Sequence, residues 1–181
     1  MKKRPTLTTP RLILRPFALT DAPDVQRLAG AREVASTTLN IPHPYTDGMA
    51  EQWIATHEAS YVRGEFVIFA IVLRANQALI GATSLHMQPL HVQGELGYWI
   101  GTAYWNHGYC SEAAQAVLRY GFDVLGLHRI HASYMTRNPA SGRVMQKIGM
   151  TYEGCLRQHV QKWGIFEDIA IYGILRSEAL A

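Results

Sequence analysis

Nine consecutive residues, Trp105-Asn106-His107-Gly108-Tyr109-Cys110-Ser111-Glu112-Ala113, carry the densest chemical signal in this 181-residue chain. They follow a short apolar stretch with strand character, Leu96-Gly97-Tyr98-Trp99-Ile100, and open a helical pattern that runs to about Leu125. The first turn of a helix has backbone N–H groups without intrahelical partners and carries partial positive charge. A strand, a tight turn and a helix start therefore make a site for an anion such as a pyrophosphate. Gly108 lets the backbone come close to such a ligand, and Cys110 and Ser111 are small enough to leave the approach open. The chain has no Gly-x-x-x-x-Gly-Lys-Ser/Thr pattern here, and no three spaced glycines after the strand, so it is neither a P-loop nor a dinucleotide loop.

Read as Trp105-Asn106-His107-Gly108-Tyr109-Cys110, the segment resembles the acyl-CoA loop of the GNAT acetyltransferase superfamily, Arg/Gln-x-x-Gly-x-Gly/Ala. Trp105 and Cys110 depart from the usual residues. The Rim-type branch, ribosomal-protein N-terminal acetyltransferases and their relatives, is more similar still; it reads Gly-Tyr-Trp-x-Gly and then Tyr-Trp-Gly-Lys-Gly-Tyr-Ala-x-Glu-Ala. Further matches follow in order: Thr9-Pro10-Arg11-Leu12-Ile13-Leu14-Arg15-Pro16 with Asp21, then Leu127-His128-Arg129-Ile130. Asn138-Pro139-Ala140-Ser141-Gly142-Arg143-Val144, Ile148-Gly149-Met150, Glu153-Gly154, Gly164 and Asp168 complete them. The resemblance implies a single α/β domain over residues 1–181. Its sheet is central, mixed and mostly antiparallel, flanked by helices, with central strands splayed to hold acyl-CoA. It also implies acetyl-CoA as co-substrate, with direct transfer to a primary amine. A protein or peptide N-terminal α-amine, such as that of a ribosomal protein, is the acceptor it suggests first. A small-molecule amine (polyamine, antibiotic or amino acid) and a non-catalytic acyl-CoA-binding or sensor module are the alternatives.

Acetyl transfer from a thioester needs a neutral amine, a stabilised oxyanion and a thiolate that leaves, preferably with a proton. A protein α-amine, with a pKa of about 8 against about 10.4 for lysine, needs only modest help from a base. Glu95 is the candidate base, at the head of the strand leading to the loop, where Rim-type relatives often carry an acidic residue. A solvated edge-strand glutamate is the plain alternative. Ser141 is the candidate acid. Many relatives use a tyrosine four residues further on, but here that position is Met145, which cannot donate a proton. A serine that merely satisfies first-turn N–H groups is the competing reading. Asn138 suits contact with the acyl-CoA, or a helix cap before Pro139. Arg143, with Lys147, suits its 3′-phosphate. Tyr98, Trp99 and Ile100 would flank the pantetheine, and Asn106, His107, Gly108, Tyr109, Cys110 and Ser111 would form the phosphate loop. A thiol at a helix start is expected to have a lowered pKa, although Cys110 reads as a small spacer and not as a nucleophile. The eight histidines show no His-x-x-x-His or Cys-x-x-Cys grouping, so no metal is expected.

The acceptor side is placed only by the resemblance, which points to His43, Tyr45, Trp53, Arg157, His159, Trp163 and Asp168. Aromatics with few carboxylates favour a peptide terminus or small amine over a polycation, and the 14 acidic residues are scattered. A net charge of +3 suits an anionic co-substrate or a ribosomal setting without requiring either. Lys2, Lys3 and Arg4 form a basic terminus that frays by default, and no direct nucleic-acid site is evident. Two cysteines cannot build a disulfide framework, and no run reaches membrane-spanning length. The expectation is a cytoplasmic protein, monomer or homodimer.

The elements that must position these groups alternate between strand and helix, as in a mixed α/β domain. Leu12, Leu14 and Phe17 mark a first strand, and Thr20 or Asp21 can cap a short helix through Leu28. Ile41–Tyr45 is a loop. Asp47–Tyr61 reads as one helix with Ala50, Trp53, Ile54, His57 and Tyr61 on a face. Phe66–Leu73 and Leu79–Met87 are strands around an Ala75-Asn76-Gln77 turn, followed by the Glu95–Ile100 strand. The loop helix carries a core stripe of Ala114, Val117, Leu118, Gly121 and Leu125. A strand at His131–Tyr134, a helix at Ala140–Ile148 and strands at about Tyr152–Leu156 and Glu167–Leu175 close the chain.

Overall fold

Phe66-Val-Ile-Phe-Ala-Ile-Val-Leu73 is apolar at every position, a pattern that suits a strand covered on both faces. Val67, Phe69 and Ile71 enter one core together with Leu12 and Leu14, whereas Ala70 and Val72 enter a second. Because side chains alternate along a strand, the two cores lie on opposite faces of one sheet. The computed structural model describes residues 4–179. Eight strands form the sheet: β1 (Leu7–Thr8), β2 (Leu12–Arg15), β3 (Phe66–Leu73), β4 (Leu79–Gln88), β5 (Gln93–Ile100), β6 (Arg129–Met135), β7 (Thr151–Lys162) and β8 (Ile165–Leu175). Their order is β1-β2-β3-β4-β5-β6-β8-β7. Every pairing is antiparallel except β5 with β6.

The helices divide between the two faces. Helices α1 (Ala22–Ala29), α2 (Arg32–Ser36), α3 (Met49–Ala55) and α4 (His57–Val62) precede β3. Val25, Leu28, Ala50 and Ile54 from this group fill the second core. Helix α5 (Tyr109–Asp123) joins β5 to β6, and α6 (Pro139–Lys147) follows β6; a short α7 (Arg176–Ala179) ends the described chain. Ala113, Ala114, Val117, Leu118 and Met145 of α5 and α6 fill the first core. Gly121 lets α5 close on the sheet, because a Cβ there would fall 2.6 Å from Ile130 Cδ1.

Three expectations need correction, and one helix was not anticipated. The Asp47–Tyr61 helix is two helices that meet at Thr56, whose hydroxyl donates to the Trp53 carbonyl at 2.7 Å. Such a local side-chain bond competes with the helix ladder. Asp21 stands at the N-cap position of α1, but its side chain makes no capping bond. The buried Asp21 carboxylate instead accepts two terminal Arg15 guanidinium nitrogens at 2.8 Å and the Ala18 N–H at 2.8 Å, a half-buried bidentate pair. Helix α2 has no side-chain cap and no strong start signal, which is why its sequence does not announce it. The strand that starts near Tyr152 continues to Lys162, with register shifts at Tyr152/Gly154 and Leu156/Val160 that break its alternation. Lys2 and Lys3 lie outside the described residues; Arg4 pairs with Glu58 at 2.8 Å.

One feature of the sheet positions the site. Strands β5 and β6 pair only at Gln93↔Arg129, Gly94↔Ile130 and Glu95↔His131. Beyond that, Leu96–Ile100 pairs with β4 alone and Ala132–Met135 with β8 alone. The strands part into a V, and the splay read from the family resemblance is present.

Candidate active site

Glu95 occupies the last paired position before the V opens. Its Oε1 accepts the Ser133 hydroxyl at 3.2 Å. Around it lies a cleft of about 1330 Å³, larger than a drug-sized ligand needs and roomy enough for two substrates. Among the described residues, Glu95 is the only carboxylate lining this cleft, and Arg143 and Lys147 are its arginine and lysine. Parted strands leave backbone N–H and C=O groups of β5 and β6 unpaired along the gap, where an amide-bearing chain can add itself as a strand would.

Helix α5 starts at the mouth of this cleft. Asn106 (φ 63°) and Gly108 (φ 77°) are both left-handed, and together they turn the chain from β5 into the helix. The N–H groups of Tyr109, Cys110 and Ser111 precede the first intrahelical bond, Glu112 N–H to Gly108 C=O at 3.1 Å, so they are available to an anion. A clamp that sequence reading missed fixes the loop. The Glu112 carboxylate accepts the Thr9 hydroxyl (2.6 Å), the Arg11 backbone N–H (2.9 Å) and the Arg11 Nε (2.6 Å). Arg11 Nη1 donates to the His107 carbonyl at 2.9 Å, and its guanidinium lies 4.6 Å from the Tyr109 ring centroid. Burial of Glu112 opposes ionisation, but these donors outweigh it and hold the carboxyl below its ordinary range. The only local signal was that Thr9, Arg11 and Glu112 each sat in a recognisable segment; nothing in their spacing joined them.

The other expected residues divide clearly. Trp105, Asn106, Gly108, Tyr109, Cys110, Ser111, Tyr98, Trp99, Ile100, Asn138, Ser141 and Arg143 all line the cleft. His107 does not: its ring stacks on Tyr109, and its Nδ1 lies 2.7 Å from the Trp105 carbonyl. The Tyr98 hydroxyl lies 3.0 Å from both the carbonyl oxygen and the Oγ of Ser141, a pairing across 43 residues. Burial pushes the Tyr98 phenol well above its ordinary pKa, so it is a neutral donor. Ser141 is thus held from the sheet and is not a bare first-turn serine. Asn138 stands at the N-cap position of α6 but makes no capping bond with its side chain. The lowered thiol pKa expected at Cys110 is overturned: burial pushes it up to about 12. The side chain packs against the core stripe, and that desolvation exceeds the helix-terminus effect.

On the acceptor side, Tyr45, Trp53 and His159 line the cleft. His43 and Trp163 contact each other (ring centroids 5.7 Å apart) outside its lining. Arg157 lies outside it too, and Asp168 accepts the Gln158 N–H at 2.7 Å, fixing the irregular β7 strand. Among the described residues no group of three or more His, Cys, Asp or Glu is arranged to hold a metal ion.

Comparison with known proteins agrees with this geometry. The family model for the acetyltransferase (GNAT) domain matches residues 11–151. An N-acetyltransferase of Bacillus subtilis strain 168, YoaA, is 34% identical over 173 residues, covering 95% of this chain and 97% of its own length. A crystal structure of a GNAT-family acetyltransferase from Bacillus anthracis superposes with a TM-score of 0.86 at 29% identity, covering 96% of this chain and 99% of that one. RimL, a ribosomal-protein α-N-acetyltransferase solved with coenzyme A, shares the fold at a TM-score of 0.85 and 20% identity, covering 92% and 95% of the two chains.

Proposed function

The chain belongs to the GNAT acetyltransferase family and is an N-acetyltransferase; from that premise we propose that it acetylates the free α-amine of a protein or peptide in the cytoplasm, with acetyl-CoA as donor. The observation that carries the acceptor reading is the cleft itself. Its one carboxylate, Glu95, stands at the apex of the V, among aromatic side chains. A polycation such as a polyamine would bring a second charge into a cleft that offers no second carboxylate. A monoamine with a weakly basic α-amino group fits better.

Each residue then has a task. The first turn of α5, with Gly108, takes the pyrophosphate, while Arg143 and Lys147 face the 3′-phosphate. The free backbone edges of β5 and β6 take the pantetheine amides. Glu95 removes the proton from the amine as its lone pair attacks the thioester carbon and the C–N bond forms. When the tetrahedral species collapses, the C–S bond breaks and Ser141, backed by Tyr98, gives its hydroxyl proton to the departing thiolate. The serine is reprotonated from solvent, so the net products are the N-acetyl amide and the free thiol.

The test is release of free thiol from acetyl-CoA against Ala-, Ser- and Met-initiated peptides, an end-blocked lysine peptide, spermidine and an aminoglycoside. Turnover confined to free-terminus peptides is expected; turnover on spermidine or the aminoglycoside alone would replace the α-amine reading. In the active assay, Glu95→Gln and Ser141→Ala should each lower kcat by about 10²-fold while acetyl-CoA affinity stays within about twofold. Loss of affinity equal to the loss of turnover would make both residues binding groups.

A further inference from the structure

Glu95 is not an isolated carboxylate. Antiparallel pairing sets His86 of β4 directly opposite it, and parallel pairing sets His131 of β6 opposite it on the other side. Cross-strand partners share a face of the sheet, with Cβ atoms about 5 Å apart in the antiparallel pair. Three adjacent strands thus carry a row His86–Glu95–His131 that ends at the V, and all three residues line the cleft. The row is held at His86 and at Glu95. His86 stacks on Phe66 at 4.3 Å between ring centroids and 7° between planes. On β6, Ser133, two residues from His131 and on the same face, donates to Glu95. His131 Nδ1 is buried and has no hydrogen-bond partner among the described residues. An orphaned buried nitrogen beside a candidate base needs an explanation.

The base has a turnover problem that this row answers. After one transfer Glu95 holds a proton, and it must lose that proton before the next amine can be deprotonated. We infer that His131 receives this proton from Glu95 and passes it to solvent through the cleft, so that the pair restores the carboxylate in each cycle. This rests on the acetyl-transfer reading above. The balance closes: the amine loses one proton to Glu95, the O–H bond of that acid breaks as an N–H bond forms on neutral His131, and the imidazolium releases the proton to water. Nothing is oxidised or reduced.

The surroundings keep His131 ready to accept. Burial lowers its pKa most; Glu95 from β5 and Glu153 from β7 act to raise it, while Arg129 on its own strand and His86 from β4 act to lower it. The net direction is down, so the imidazole is neutral at pH 7. Arg129 is itself bound to Glu153 at 2.5 Å through both nitrogens, which mutes both of those charges.

His131→Gln is the decisive variant. It should lower kcat about tenfold at pH 7, less than the roughly 10²-fold expected for a group that takes the proton from the amine itself, with acetyl-CoA affinity unchanged. It should also remove the part of the acid limb of the kcat–pH profile that reports the imidazole. In His131→Ala, added imidazole should restore rate in proportion to its concentration. A profile that keeps the wild-type acid limb and shows no rescue would overturn the relay, whatever the fall in kcat, because a wall residue produces such a fall too. A second readout needs no acceptor: the NMR titration of the His131 ring should move to lower pH in Glu95→Gln, and superimposable titrations would equally reject the pair. Wild-type turnover on the acceptor panel judges the acetyl-transfer reading separately, so the two failures cannot be confused.

Discussion

His57 and Cys110 show how burial overrides the ordinary chemistry of a side chain. The His57 ring is 2% exposed and packs edge-on against Trp53 (4.4 Å) and Phe17 (5.5 Å). Neither ring nitrogen has a hydrogen-bond partner among the described residues. Burial, with a smaller contribution from Arg4, lowers its pKa from 6.5 to about 4. The depressed value fixes the sign of its effect on stability. Above pH 6.5 the ring is neutral in both states and costs nothing; as pH falls from 6.5 toward 4, the unfolded chain takes the proton and the folded one resists it. Between pH 8 and pH 5 this linkage should remove about 2 kcal/mol of stability, from about 1.4 kcal/mol per unit. Urea midpoints at the two pH values check it. A His57→Leu variant should lose distinctly less on acidification than the wild type, and an equal loss would mean that His57 is not the group responsible. Cys110 was misjudged for a reason that its own sequence contains. It lies three and four residues before Ala113 and Ala114, on the core stripe of α5, so its thiol faces inward while its N–H faces the anion site.

At the scale of elements, the α5 loop is a local device that depends on a distant support. The strand, the glycine and the helix start are contiguous, so their periodicity and residue types made them readable. The clamp was not readable: Glu112 meets Thr9 and Arg11 across 103 and 101 residues. The Tyr98–Ser141 bond and the His86–Glu95–His131 row have the same character, because sheet register and helix docking bring together residues whose spacing carries no signal. The clamp makes a graded prediction. Gly108 is at φ 77°, and a Cβ there would meet only Arg11 Nη2, at an ordinary 3.5 Å. Substitution therefore acts through backbone strain and through blocked approach of the ligand, not through a clash within the protein. Gly108→Val should abolish acetyl-CoA binding measured by calorimetry. Arg11→Ala leaves the backbone intact and should weaken binding about tenfold, or about 1.4 kcal/mol. Wild-type affinity in both variants would remove the phosphate loop from α5.

At the scale of the whole molecule, the proposed function has the fold separate donor from acceptor by using both faces and both ends of the sheet. α5 and α6 cover the face at the proposed phosphate loop, while the segment after α2 and the far ends of β7 and β8 enclose the proposed acceptor end. The alternating and all-apolar strands made the layers legible in advance, yet the enclosure of the acceptor end was not. It depends on one buried lysine. Lys162, 6% exposed, donates to the Leu39 and Ile41 carbonyls at 3.0 and 2.8 Å, across 123 and 121 residues. Arg137 adds a bond to the Ser36 carbonyl while it holds Glu167 at 2.6 Å. Leu39, Asn40 and Ile41 line the cleft, so these bonds set the position of its wall. Burial, and then Arg137, lower the Lys162 pKa, but the two carbonyls accept from its ammonium. Lys162→Met keeps the apolar stem and removes both donations, which frees the wall without touching α5 or the V. The acceptor KM should rise about tenfold with kcat nearly unchanged, the signature of lost binding that ground state and transition state share. Acetyl-CoA affinity should stay within about twofold, since the elements proposed to bind it are α5, α6 and the V. If both affinities fall together, Lys162 supports the fold as a whole, and the separation of the two substrates by opposite parts of the sheet is wrong.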